Sequence, residues 1–108
     1  MRFRGLGAVP PELEVLAVTT RENYIRAIEQ SKHARTLSTP AAIATQCRGA
    51  TEALARARYL QGRLVCGAEA VGIHVASSDR PAAAQEAVMA CWGFAIDVAA
   101  NPLHATRF

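Results

Sequence analysis

The residue types that most often carry chemistry stand apart from one another in this chain. His33, His74 and His104 show no HxxxH spacing, and none has a carboxylate at the offset of an HExxH metal site. Cys66 and His74 are eight residues apart. On a helix that is about 12 Å, too far for both to bind one ion. Cys47, Cys66 and Cys91 form no CxxC pair, and their odd number and wide spacing read as three small free thiols in a reducing compartment. Glu12 and Glu14 suit a solvated turn. Gly5-Leu6-Gly7 lacks the third glycine of a dinucleotide-binding turn and runs into Pro10-Pro11. Neither a phosphate-binding GxxxxGK[ST] loop nor a GxSxG nucleophile elbow is present. These absences lead to the expectation of a protein that is not an enzyme and has no metal site and no cofactor.

The elements that would position any site read as helices. Residues 1–10 hold three glycines or prolines before Pro11 and are expected to be a flexible arm, followed by a single helical domain over 11–108. Pro11-Glu12 suits the first turn of a short helix, although Leu13, Val15 and Ala17 also alternate as in a strand. Thr19 and Glu22 form a capping-box pattern for a second helix, with Tyr24, Ile25, Ala27 and Ile28 on its apolar side. Lys32, His33 and Arg35 would close it, where cations suit the negative end of the helix dipole. Thr39-Pro40 then supplies an N-cap and a first-turn proline for a helix over 41–60, with Gly49 and Gly62 as its weak points.

The C-terminal part differs in kind. Residues 1–63 carry ten basic and five acidic side chains, residues 64–108 two and four. Residues 64–78 contain a single charge, Glu69. Leu64, Ala68, Val71 and Val75 follow a helical stripe there, with alternating Val71, Ile73 and Val75 as the rival strand pattern. After the turn Ser77-Ser78-Asp79-Arg80-Pro81, a helix is expected over 81–100, ended by Asn101-Pro102. Ala83, Ala87, Cys91, Ala95 and Ala99 form a row of small side chains on it, beside the bulkier row Ala84, Val88, Trp92, Ile96 and Ala100. Only a narrow polar strip, Glu86 and Asp97 with Ala90 and Gly93 between, interrupts the apolar circumference. Such a helix needs cover on more than one side. The expected fold is therefore all-α, with four to five helices, a C-terminal antiparallel helical hairpin and a dimeric assembly.

With 108 residues, 51% hydrophobic and 19% charged, the chain is long enough for one folded core and too apolar for disorder. Its N-terminal stretch lacks a continuous apolar run of secretory type, and no uncharged run of membrane-spanning length follows. A cytoplasmic location without membrane contact is the expectation. The helical region 41–60 gives an alternative reading as a helix-turn-helix DNA-binding unit. In it the turn falls at Arg48-Gly49, and Arg48, Arg56 and Arg58 are the DNA-contacting candidates. A solvated ladder of Arg48, Glu52 and Arg56 explains the same residues without nucleic acid.

Association with protein is the leading expectation. Val88, Trp92, Phe94 and Val98 are the candidate contact residues, for a homodimer or a foreign partner. In size, arginine bias and chargeless C-terminal helices over residues 20–100, the chain resembles the small helical antiactivators of LuxR-type quorum-sensing regulators. That resemblance implies a non-enzymatic dimer that binds a transcriptional activator and blocks its dimerisation or DNA binding. It carries no roles for individual residues.

Overall fold

Three long helices carry almost all of the described chain. The structure is a computed structural model that describes residues 3–4 and 9–100. In chain order it contains strand β1 (Phe3–Arg4), helix α1 (Pro11–Ala34), helix α2 (Pro40–Ala70), strand β2 (His74–Val75) and helix α3 (Arg80–Ala100). The fold is helical, as expected, but with three helices in place of four or five. Two pairs of expected helices are fused. Thr19 does not cap a new helix; its hydroxyl donates to the Val15 carbonyl at 2.9 Å inside an unbroken α1. Likewise α2 passes through Gly49 and Gly62 without a break, which removes the turn of the helix-turn-helix reading.

The caps explain where the helices do stop. Thr39 has extended backbone and accepts the Ala42 amide at 3.3 Å, with Pro40 behind it, as the sequence predicts. At the other end of α2, Gly72 takes a positive φ of 74°. Its amide bonds the Glu69 carbonyl, and the Ile73 amide reaches back to the Ala68 carbonyl at 2.8 Å. This is a Schellman ending with glycine at the left-handed position, completed by Ile73 and Ala68 sharing one apolar cluster. Residues 71–78 are thus no part of a helix. β2 pairs antiparallel with β1, Phe3 opposite Val75 and Arg4 opposite His74. The expected hairpin between 64–78 and 81–100 gives way to one between α2 and α3.

Packing follows from small side chains. α1 and α2 lie antiparallel and close together: a Cβ at Gly49 would come within 2.9 Å of Gln30 Oε1, and one at Gly67 within 2.9 Å of Leu13 Cδ2. α3 runs back along α2, with Arg58 donating to Gln85 and Trp92 Nε1 donating to Thr51 Oγ1 at 2.8 Å. Because Gln85 lies near the start of α3, about two turns of α2 extend beyond it. The described molecule is long and thin, 58 × 18 × 16 Å, with a radius of gyration of 17.2 Å. A compact domain of about 100 residues would have roughly 13 Å.

Three apolar clusters line up along this rod. Tyr24, Ala27, Ala53, Leu54, Ala57, Ala84 and Val88 build the middle one. Ile43, Cys47, Cys91, Ala95 and Val98, with Ala34, build the second. At the far end Leu13, Ala17, Leu64 and Ala68 are covered by Ile73 rather than by α3. Cys47 and Cys91 are joined as a disulfide, with Cα atoms 5.8 Å apart. This corrects the expectation of three free thiols: only Cys66 remains one, and it is exposed. The spacing of 44 residues hid the pair, because only the antiparallel return of α3 along α2 brings the two positions together.

Candidate functional site

On α3, the residues facing the hairpin are Ala84, Val88, Cys91, Ala95 and Val98. They follow one another at spacings of three and four, the rule for one face of a helix. Two of the candidate contact residues therefore belong to the core: Val88 is 6% exposed and Val98 0%. The interface assignment for them is corrected. The other two lie at the flanks. Trp92 is half-buried, packs against both the middle and second clusters and is tied by its indole N–H to Thr51. Phe94 is half-buried beneath the Arg35 guanidinium, whose central carbon is 5.3 Å from the ring centre. Trp92 and Phe94 contribute edges to the surface of α3 but not its centre.

The outward face is diametrically opposite. It consists of Ala82, Glu86, Met89, Gly93, Ile96, Asp97 and Ala100, all exposed. Met89 is 65% exposed and Ile96 66%, the most open large apolar side chains of the helix. Gly93 between them leaves the backbone accessible, and a Cβ there would meet nothing. Glu86 and Asp97 bracket this apolar stripe about 16 Å apart along the axis. By residue type the strip with Glu86 and Asp97 reads as the solvated side of the helix. This outward stripe lies opposite the row that contains Val88, Cys91, Ala95 and Val98.

A second exposed apolar region lies on α1, where Val15 and Val18 line a shallow hollow of about 390 Å³ together with Glu14, Thr19 and Glu22. Val15 is as open as Met89, at 65%. This hollow is lined from one helix alone.

The residues of the alternative reading are placed on a single unbroken helix. Arg48, Arg56 and Arg58 are exposed on α2. Arg48 is engaged with Thr45 Oγ1 at 3.2 Å and Arg58 with Gln85. With no turn between them they do not form a recognition helix set at an angle to a supporting one.

Chemistry is sparse elsewhere. His33 is exposed at the end of α1, as expected, with Nδ1 3.5 Å from Thr36 Oγ1. His74 is exposed on β2 and not on a helix. His104 lies outside the described residues. Among the described residues no group of three His, Cys, Asp or Glu side chains could hold a metal ion. Burial raises the Tyr24 phenol above its ordinary value near 10, and the positive charge of Arg58 offsets part of that rise. Tyr24 donates its hydroxyl to Gln61 Oε1 at the contact of α1 with α2, which makes it a structural group. No helix of the described residues is long and apolar enough to cross a membrane. No family model, curated protein or solved structure matches the chain.

Proposed function

We propose that this chain is a non-enzymatic protein–protein interaction module that binds a protein partner, such as a transcriptional activator of the LuxR type, and inhibits it. The observation that carries the reading is the outward stripe of α3. Met89 and Ile96 are two thirds exposed on a helix whose opposite side is fully used in the core. An apolar stripe with acidic residues at its margins has the organisation of a docking surface, with apolar contact at the centre and charge at the rim. A helix face of this kind can occupy the apolar groove of another protein or pair with a second copy of itself. Homodimerisation and a cytoplasmic location are parts of the same proposal. The resemblance to helical antiactivators supports the choice of a transcription factor as partner.

The test uses Met89→Glu and Ile96→Glu, singly and together. Both positions point into solvent, so the variants should fold with unchanged helical circular dichroism and melting temperature. The expected result is loss of self-association in light scattering, or loss of a LuxR-type activator from affinity capture in the native cell. Variants that stay folded with unchanged mass and unchanged capture would remove the support for this face.

A further inference from the structure

Beyond partner binding, and independently of it, we propose that Cys47–Cys91 is an exchangeable disulfide, opened at Cys91 by a thiolate that enters between α1 and α3. The bond lies in the cluster that joins α3 to the α1–α2 pair, with Cys47 0% and Cys91 1% exposed. The two cysteines do not border the surface alike. A surface hollow of about 220 Å³ opens over Cys91, lined by Ser31, Lys32 and Arg35 of α1 and by Ala87 and Ala90 of α3. Cys47 does not line it. The alanines supply no side chain large enough to close the hollow, and the two α1 cations border it, Arg35 also resting over the Phe94 ring. The attacking species in disulfide exchange is the thiolate, so positive charge at the entrance favours its approach.

The reaction balances with a dithiol as co-reactant. Its thiolate forms a bond to Cys91 Sγ as the Cys47–Cys91 bond breaks, and the electron pair leaves on Cys47 Sγ, which takes up a proton. The second thiol of the dithiol then attacks the mixed disulfide and releases Cys91 as a thiol. The protein disulfide gains two electrons and two protons, and the dithiol becomes a disulfide. Opening the bond removes the side-chain cross-link between α3 and α2, and leaves the C-terminal half of α3 held through Ala95 and Val98. Redox state thereby sets how firmly α3 is docked.

The experiment follows reduction of the oxidised full chain by dithiothreitol without denaturant, in a Cys66→Ser background that removes the exposed thiol. Reduction should proceed faster than global unfolding. Lys32→Glu should slow it several-fold at low salt even though the lost helix-dipole contact lowers the melting temperature slightly, and Lys32→Arg should restore it. Glutathione used as a monothiol probe should leave its adduct on Cys91 when mapped by mass spectrometry. Hydrogen exchange of the reduced protein should quicken in residues 88–100 and not in α1. Three results overturn the proposal: reduction only at the rate of unfolding and insensitive to Lys32→Glu, adducts on Cys47, or Cys47 and Cys91 found as free thiols in the air-oxidised protein.

Discussion

The two ends of the rod are stabilised by different means. At one end α3 lies on α1 and α2, and the cluster of Ile43, Cys47, Cys91, Ala95 and Val98 is crossed by a disulfide. At the other, α1 and α2 continue beyond α3, and Leu13, Ala17, Leu64 and Ala68 are covered by Ile73 and by half-buried Val9, Leu16 and Val75. The first end combines three helices and a covalent link, with Leu37, Trp92 and Phe94 packed at the margin of a cluster whose α3 share is Cys91, Ala95 and Val98. The second depends on larger aliphatic residues and on a backbone that turns back at Gly72 to lay Ile73 over them. The contrast shows how a helix rich in alanine can be held. Alanine lets helices approach closely but buries little area, so a cross-link contributes where apolar area is short.

Removing the disulfide tests that contrast most strongly. In the chain-entropy treatment a loop of 44 residues corresponds to about 4 kcal/mol. Cys47→Ala with Cys91→Ala should lower stability by an amount of that order relative to the oxidised protein in urea titration. The loss should appear first as faster hydrogen exchange in α3. Leu64→Ala at the other end should cost about 3 kcal/mol, because Leu64 is fully buried and nothing large stands ready to fill its place. Its exchange should quicken around residues 11–17 and 64–73 and leave α3 protected. If both variants loosen the whole molecule alike, the two ends form one cooperative unit and the comparison fails.

Smaller effects sharpen it. Gly72→Ala places a Cβ on a residue with φ of 74°, where L side chains are strained, and should cost about 1–2 kcal/mol. There is open space around Gly72, so the cost is conformational and not steric against neighbours. It should fall on the Ile73 end, read as faster exchange of the amides at 72 and 73. The smallest effect is a pH dependence of the middle cluster. Tyr24 is neutral when protonated, and burial raises its folded-state value above the ordinary one near 10. The folded state therefore holds this proton more tightly than the unfolded chain. The associated stability is complete below about pH 10 and is lost as pH rises toward the folded-state value. Tyr24→Phe should remove this alkaline decline in thermal melts.

Much of the helical content is legible in the sequence because it is local. Thr39-Pro40 marks a helix start whatever lies around it, and Lys32 and His33 fall in the last turn of α1 as the helix dipole favours. The heavy use of alanine and the scarcity of charge on α3 also follow from residue types alone. The capping pattern at Thr19 and the glycines at 49 and 62 misled for the same local reason. A cap signal or a weak helix former biases the chain by about 1 kcal/mol, and burial of α1 against α2 outweighs it. At Gly72, by contrast, the glycine does end a helix, and the stripe Leu64, Ala68, Val71 and Val75 only imitates helical spacing beyond Ala70.

The sequence by itself determined that this protein is built from helices, where two of them begin, and that its last helix is too apolar to be solvated all round. Only the tertiary structure decided which side of that helix is core. Periodicity places residues around a helix but gives no direction to the neighbouring elements, so Val88 and Val98 were assigned outward while Met89 and Ile96 point there. The pairing of Cys47 with Cys91 was decided in the same way. A bond between residues 44 apart depends on the path of the connection between α2 and α3, and that path is set by packing across the whole bundle rather than by any segment of the chain.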